Sequence, residues 1–316
     1  MGYDVVALGE LLVDFTPTAI SNQGNQMFEA NPGGAPCNVL SMLCKLGYRT
    51  AFIGKVGDDI FGHMLSKAIV ECGIAIDGLR FDRQVNTTLA FVHKQENGDR
   101  DFSFYRNPGA DMMLTDKEVS ECLISQAKIF HFGSLSMTHP GVAAATRRGI
   151  EIAEANGVLR SFDPNLRPPL WNDLEEAKRM IHFGLAHCDI LKISDNEIQW
   201  LTGEMDFSAG VKTLRSKFDI PLILVSMGPK GSRAYTEEFM TEQPARLTSE
   251  TVDTTGAGDT FCACILHGVL QAGMNGLTQE RLNHILHFAN IAASIVTTRF
   301  GAIRAMPTRA QIEGLL

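Results

Sequence analysis

The sequence lacks the features of several protein classes. No run of 18 apolar residues occurs in the 316-residue chain, so no membrane-spanning helix is expected. The first residues, MGYDVVALGE, have no basic start and do not resemble a secretory signal peptide. The net charge of −8 disfavours electrostatic binding to nucleic acid. We therefore expect a cytoplasmic protein that has neither a membrane nor a nucleic acid as its partner.

Motifs of other enzyme and metal-binding classes are also missing. The seven cysteines include no C-x-x-C pair, which argues against a zinc or dithiol site. No Gly-Lys-Ser or Gly-Lys-Thr occurs, since Gly54-Lys55 is followed by Val56, and this excludes the P-loop class. No G-x-G-x-x-G follows a strand pattern, which counts against a nicotinamide-dependent oxidoreductase.

Short apolar runs alternate with segments of helical periodicity along most of the chain. This alternation, with 45% apolar residues, is typical of an α/β domain with a parallel sheet. The predicted strands are 5–9, 50–56, 129–133, 159–162, 190–193 and 222–225. The predicted helices are 35–46, 61–71, 141–155, 174–186, 257–271 and 278–297.

A β-hairpin interrupts this alternation. Residues 87–94 and 101–105 read as strands on either side of Glu96-Asn97-Gly98-Asp99, and Asn-Gly is a strong hairpin signal. The connection is too short for a helical crossover, so the hairpin should lie outside the parallel sheet and could pair with the early extended segment. We predict a small β lid from 11–31 and 87–107, and a large α/β domain from 1–10, 32–86 and 108–316.

The most informative motif is Asp253-Thr-Thr-Gly-Ala-Gly-Asp-Thr-Phe261, which is followed by a long apolar helix pattern. Its glycines allow a tight turn into the helix, and the N–H groups at a helix N-terminus form an anion site that suits phosphate. Asp259 falls in the first turn, where it could accept a proton from an attacking hydroxyl. Taken alone, the same carboxylate could simply cap the helix.

This motif resembles the second signature of the ribokinase-like carbohydrate kinases, the PfkB family. The run Gly33-Gly34-Ala-Pro-Cys-Asn38 resembles the first signature, and the two occur in the expected order. The resemblance implies a ribokinase-like α/β fold: a doubly wound, mainly parallel sheet flanked by helices, with a small β-sheet lid. It also implies transfer of the γ-phosphoryl group of ATP to a sugar hydroxyl. Asp259 would be the base, and the catalytic anion loop would be Gly256, Ala257 and Gly258.

The resemblance also assigns the remaining site residues. The sugar would contact Asp14, Gly33, Gly34 and Asn38, together with Arg106 on the lid and with Asp163, Asn165 and Arg167 after a strand. ATP would contact Lys192, Ser226, Gly228, Gly231 and Asn290.

Two metal ions are implied as well. Mg²⁺ would be held through water by Glu197, although Ser194 stands where ribokinases carry Asn. Asp253 and Thr255 belong to a loop that binds K⁺ in ribokinases. Ala305 stands where ribokinase has a hydroxyl-bearing ligand, so one oxygen of that site is missing here.

Several substrates remain open at this stage. The run Phe104-Tyr105-Arg106 and the run Asp163-x-Asn165-x-Arg167 resemble those of fructokinase-like members of the family, and this resemblance favours fructose, with phosphate placed on its 6-hydroxyl. 2-Keto-3-deoxygluconate, whose carboxylate arginines could bind, is the second alternative, and a riboside is the third. A sugar-sensing relative without catalysis is disfavoured because Asp259 and its loop are intact. The open edge of the lid predicts a homodimer through the lid.

Overall fold

The structure is a computed structural model that describes residues 2–94 and 100–316. The predicted Glu96-Asn97-Gly98-Asp99 turn lies outside the described residues. None of the described helices is both long and apolar enough to cross a membrane.

The large sheet contains nine of the described strands in the order β13-β12-β11-β10-β9-β8-β1-β4-β5. Neighbouring strands from β5 to β11 are parallel, whereas β12 and β13 are added antiparallel at one edge. The strands are β1 Val5–Leu8, β4 Thr50–Gly57, β5 Ile74–Asp82, β8 Ile129–Gly133, β9 Leu159–Asp163, β10 Ile190–Ser194, β11 Leu222–Ser226, β12 Ser232–Tyr235 and β13 Met240–Gln243.

Helices cover both faces of this sheet. Because successive strand residues face opposite sides, Val5 and Ala7 pack with α1, α2, α8, α9 and α10, while Val6 and Leu8 pack with α3 to α7. The sheet is therefore doubly wound, as predicted. The helices are α1 Ala35–Lys45, α2 Ile60–Glu71, α3 Glu121–Ser125, α4 Pro140–Ala155, α5 Leu174–Ala186, α6 Asp195–Thr202, α7 Phe207–Arg215, α8 Ala257–Ala272, α9 Gln279–Val296 and α10 Arg309–Glu313.

A second sheet of four described strands stands apart from the first. Its order is β3-β2-β6-β7, in which β2 and β6 are parallel and the outer pairs are antiparallel. Phe15 and Phe91 stack on it at 4.9 Å between ring centroids. The early segment therefore pairs with the hairpin, as predicted. The strands are β2 Leu12–Ile20, β3 Gln26–Gly33, β6 Leu89–Lys94 and β7 Arg100–Tyr105.

The predicted strands and helices of the large domain are all present, with ends that differ by at most one residue. Five of the described strands and helices were not predicted: β5, β13, α3, α7 and α10. β5 carries Asp77-Gly78 in its middle and joins β4 with a register shift, so its sequence does not show a continuous apolar run. β13 is four residues long and half exposed, which leaves little pattern to detect.

Two glycines of α4 provide a matched test of packing against the sheet. A Cβ on Gly149 would lie 2.6 Å from the ring of Phe130 in β8, whereas one on Gly141 would meet nothing closer than 3.4 Å. We expect Gly149→Ala to lower the free energy of unfolding by about 1–3 kcal/mol. Gly141→Ala should change it by less than about 1 kcal/mol. Urea denaturation measures both, and equal stability of the two variants would contradict this packing.

Candidate active site

The carboxyl ends of the parallel strands border a cavity of about 350 Å³. In doubly wound sheets this edge is where ligands bind. Asn165 and Arg167 follow β9, Lys192 and Ser194 lie in β10, and Ser226 ends β11. The further lining residues are Glu10, Leu12, Asp14, Gly34, Ala35, Asn38, Phe104, Leu135, Glu197, Thr254, Thr255, Gly256, Gly258 and Asp259.

The N-terminus of α8 forms one wall of this cavity. Gly256 precedes the helix with φ 78°, and a Cβ there would lie 2.8 Å from Ala302, so the turn requires glycine. Asp259 then occupies the third position of the helix, as predicted. The Ala257 N–H is engaged with the Thr254 carbonyl at 3.3 Å. An anion would therefore depend chiefly on the N–H groups that follow.

A hydrogen bond joins the two sequence signatures. The Asn38 amide Nδ2 donates to Asp259 Oδ2 at 2.7 Å, although the residues are 221 positions apart. Burial raises the pKa of Asp259, and the Asn38 bond and the charges of Lys192 and Arg167 act in the opposite direction. Asn38 Oδ1 has no hydrogen-bond partner among the described residues. A buried carboxylate with a raised pKa is a suitable general base.

Asp14 faces the same cavity from β2. Burial raises its pKa to about 7, Arg167 opposes this shift, and the nearby Asp253 and Asp259 add to it. Gly33 does not line the cavity, but a Cβ there would collide with Asp14 Oδ2. Gly33 therefore makes room for the Asp14 carboxyl, and its predicted contact with the sugar stays a prediction.

Asp163 and Lys192 form a buried ion pair at the bottom of the site. Lys192 Nζ lies 2.9 Å from Asp163 Oδ2, and the Asp163 side chain is 3% exposed. Burial raises the pKa of Asp163 to about 6 despite the neighbouring ammonium. Lys192 also lies beside the anion loop, because a Cβ on Gly258 would be 3.1 Å from its Nζ. Asp163 lies outside the lining of this cavity and pairs with Lys192, and its predicted contact with the sugar stays a prediction.

Arg106 makes buried contacts within the protein. Its guanidinium is 3% exposed and pairs with Asp111 Oδ2 at 2.7 Å. It also donates to Thr138 Oγ1 at 2.8 Å and to the Leu135 carbonyl at 3.1 Å. Arg106 does not line this cavity, and its predicted contact with the sugar stays a prediction. It braces the segment behind Leu135.

Glu10 was not singled out from the sequence, yet it lines the cavity. Its Oε1 accepts a hydrogen bond from the Ala35 N–H at 2.8 Å, and the residue is 4% exposed. Burial raises its pKa to about 7. An acidic residue directly after a buried strand, at the ligand-binding edge of the sheet, is the signal that could have identified it.

A second cavity of about 310 Å³ adjoins the first, and Ser226, Thr254 and Gly258 line both. Gly228, Gly231 and Asn290 belong to it, as predicted for a nucleotide site, while Arg246 and Leu247 were not predicted. The Asn290 amide is occupied by the protein: Nδ2 donates to the carbonyls of Gln243 and Pro244 at 3.2 and 3.0 Å, and Oδ1 accepts from Ser232 Oγ at 3.0 Å. Asn290 therefore shapes the wall of this cavity.

The carboxylates of the candidate metal-binding residues Glu197 and Asp253 already accept hydrogen bonds from the protein. Glu197 accepts from the Leu166 N–H at 2.7 Å and from the Ser194 N–H and Oγ at 2.8 and 2.7 Å. Asp253 accepts from the N–H groups of Thr255 and Gly301 at 2.7 and 3.2 Å. Within residues 2–94 and 100–316, no group of three or more His, Cys, Asp or Glu side chains could hold a metal ion alone.

Comparison with known proteins identifies the family. The model of the pfkB family carbohydrate kinases matches residues 3–309 of the chain. The protein belongs to the pfkB family of carbohydrate kinases. It is therefore a sugar kinase, which transfers a phosphoryl group, and the predicted family and fold are confirmed.

The curated relatives and solved structures agree with this assignment. The chain is 41% identical over 316 residues to fructokinase-2 of Solanum habrochaites, covering 99% of this chain and 95% of that protein. It is 40% identical over 317 residues to probable fructokinase-4 of Arabidopsis thaliana, covering 99% and 96%. The structure of a fructokinase with bound ATP from Xylella fastidiosa superposes with a TM-score of 0.90 at 31% identity, covering 99% of this chain and 98% of that one.

The structural role of Arg106 can be tested against Arg167, which does line the cavity. Arg106→Ala leaves Asp111 buried without its charged partner, so we expect a loss of about 3–5 kcal/mol in the free energy of unfolding. Arg167→Ala should keep its stability and raise the KM for the sugar. Thermal melting and sugar-saturation kinetics separate the two variants. If Arg106→Ala keeps its melting temperature and shows a raised KM for the sugar, Arg106 contacts the sugar, as the sequence predicts.

Proposed function

We propose that this kinase phosphorylates D-fructose on its 6-hydroxyl with ATP, giving fructose 6-phosphate and ADP. The observation that carries the proposal is the buried Asp259 carboxylate, which lines the first cavity beside Gly258, a residue common to both cavities, and is held by Asn38 at 2.7 Å. The larger, polar cavity beside Asp14 would hold the sugar. The cavity beside Gly228 and Gly231 would hold the nucleotide.

In the proposed reaction the 6-hydroxyl oxygen attacks the γ-phosphorus of ATP. The bond from the γ-phosphorus to the bridging oxygen breaks, ADP leaves, and the hydroxyl proton moves to Asp259. Such a transition state is loose, so positioning and charge stabilisation supply most of the acceleration. The α8 N-terminus and Lys192 lie where they can stabilise the moving phosphoryl group.

Fructose is favoured over a sugar acid by the charges around the cavity. Glu10, Asp14 and Asp259 line it, and Arg167 and Lys192 are its basic residues. Lys192 is already paired with Asp163, and Arg106 lies outside. A keto-acid carboxylate would therefore meet several acidic groups with little compensating charge. The fructokinase relatives support the same choice.

We infer that Mg²⁺ accompanies ATP and contacts Glu197 through a bound water. Glu197 Oε2 already accepts two hydrogen bonds and Oε1 accepts one, so Oε1 can still accept a hydrogen bond from a metal-bound water. Mg²⁺ retains several waters in most sites. It would neutralise charge on the phosphates.

We also infer a K⁺ site at the loop of Asp253 and Thr255. The Asp253 carboxylate is buried and orders this loop beside α8. A fructokinase structure from Vibrio cholerae, described as bound to fructose, ADP and potassium ion, superposes with a TM-score of 0.89 at 28% identity. A cation here would add positive charge beside the anion loop.

The small sheet is proposed to act as a lid, with the boundaries 11–31 and 87–107. Phe104 and Leu12 line the cavity from its strands, so closure would exclude water and limit ATP hydrolysis. Pairing of two lids into a homodimer and a cytoplasmic location remain predictions. Size-exclusion chromatography with light scattering tests the first of them.

Asp259→Asn tests the base directly. The amide keeps the shape of the carboxylate and cannot accept the proton, so we expect kcat to fall by ~10²–10⁴-fold. The KM for fructose should change little. The measurement is a coupled assay of ADP release with fructose, 2-keto-3-deoxygluconate and a riboside. If the variant retains more than a tenth of the wild-type kcat, Asp259 is not the general base. If the wild-type enzyme turns over 2-keto-3-deoxygluconate faster than fructose, the keto acid and not fructose is the substrate.

Potassium dependence has its own test. With ionic strength held constant, replacement of K⁺ by tetramethylammonium is expected to lower kcat, because the anion loop loses a neighbouring positive charge. Asp253→Asn should weaken the response to K⁺. Equal rates in the two salts would show that the loop works without a cation.

A further inference from the structure

Helix α1 begins after a residue that cannot cap it. Gly34 has φ 127°, and a Cβ there would collide with the Glu10 carbonyl oxygen, so no capping side chain fits. Pro36 at the second position has no N–H. The Ala35 N–H, at the first position of the helix, has no acceptor within the helix and needs one from elsewhere in the chain.

Glu10 supplies that acceptor from the end of β1. Its Oε1 lies 2.8 Å from the Ala35 nitrogen, and its side chain is buried. The backbone next to Glu10 also lies close to the helix, since a Cβ atom added to Gly9 would be only 2.6 Å from Pro36 Cγ. The first turn of α1 is thus fixed directly on the β1 end.

Asn38 lies in that first turn and points to the base. Its backbone N–H donates to the Gly34 carbonyl at 3.0 Å, which ties it to the helix start. Its side chain donates to Asp259 at 2.7 Å. A hydrogen bond to a charged group depends steeply on distance and angle. A small shift of the first turn would therefore release Asp259.

We propose that Glu10 is a positioning residue for phosphoryl transfer: it holds the first turn of α1 so that Asn38 can orient Asp259. This inference rests on the proposed function. The negative charge of Glu10 is not required for this positioning role. Burial raises the pKa of Glu10 to about 7, and a neutral carboxyl group still offers a carbonyl oxygen to the Ala35 N–H. The competing role for Glu10, which also lines the cavity, is direct contact with the sugar.

Glu10→Met and Glu10→Gln form the test pair, because the side chains are similar in size and only Gln keeps an acceptor. We expect Glu10→Met to lower kcat on the order of 10–100-fold, the range that a small misplacement at an active site produces. The KM for ATP should stay unchanged. Glu10→Gln should restore most of the activity, which a purely electrostatic role of the carboxylate would not allow. Thermal melting checks that both variants are folded, and Glu10→Ala replaces the Met variant if that one is not.

A double-mutant cycle distinguishes the two roles of Glu10. If it acts through Asn38, Glu10→Met added to Asn38→Ala should cost no more than about a further twofold in kcat, because the pathway is already broken. If it binds the sugar, the two losses multiply and the KM for fructose rises. Multiplied losses, or a Met variant with wild-type kcat, would overturn the proposal. A wild-type protein inactive on fructose would refute the proposed substrate instead, and the cycle would then be run with the sugar it accepts.

Discussion

The hydrogen bond between Asn38 and Asp259 is the interaction on which the rest of the site depends. It connects the first turns of α1 and α8, two helices that lie on the same face of the sheet and start at its ligand-binding edge. Helix α8 carries the anion loop and the proposed base Asp259, and helix α1 carries Asn38, which orients that base. The whole intervening chain must fold before these two turns can meet, so catalytic geometry here is a property of the complete domain.

This arrangement places several acidic side chains close together in a buried position, which is unfavourable for their charged forms. Burial raises the pKa of Glu10, Asp14, Asp163 and Asp259. Each is offset locally, for example by Lys192 beside Asp163. Such a cluster destabilises like-charged ligands and leaves neutral polyols unaffected. The basic groups of the cleft are the α8 N-terminus, Lys192 and Arg167, with Arg246 in the second cavity, and in the proposed function the α8 N-terminus and Lys192 would serve the phosphate.

Much of this could be predicted from sequence because it is local. Apolar periodicity gives the alternating strands and helices, and the Gly256-Ala257-Gly258-Asp259 turn encodes its own geometry through glycine. What could not be predicted depends on contacts between distant segments. The sequence does not show that Arg106 also reaches Thr138, 32 positions away. Asp163 was predicted to contact the sugar, and its pairing with Lys192 depends on β10 lying beside β9. The hydrogen bond between Ala35 and Glu10 spans 25 positions.

The pH dependence of kcat/KM in Asn38→Ala tests the central claim most directly. Asp259 must be deprotonated to act, so activity falls as pH drops through its pKa. The Asn38 bond stabilises the carboxylate and lowers this pKa, while Lys192 and Arg167 do the same by charge, and burial opposes all three. Loss of the bond therefore raises the pKa. The account predicts that the acid limb of the profile lies at higher pH in Asn38→Ala than in the wild type. A reduced rate with an unmoved acid limb would contradict it, because Asn38 would then not set the state of the base.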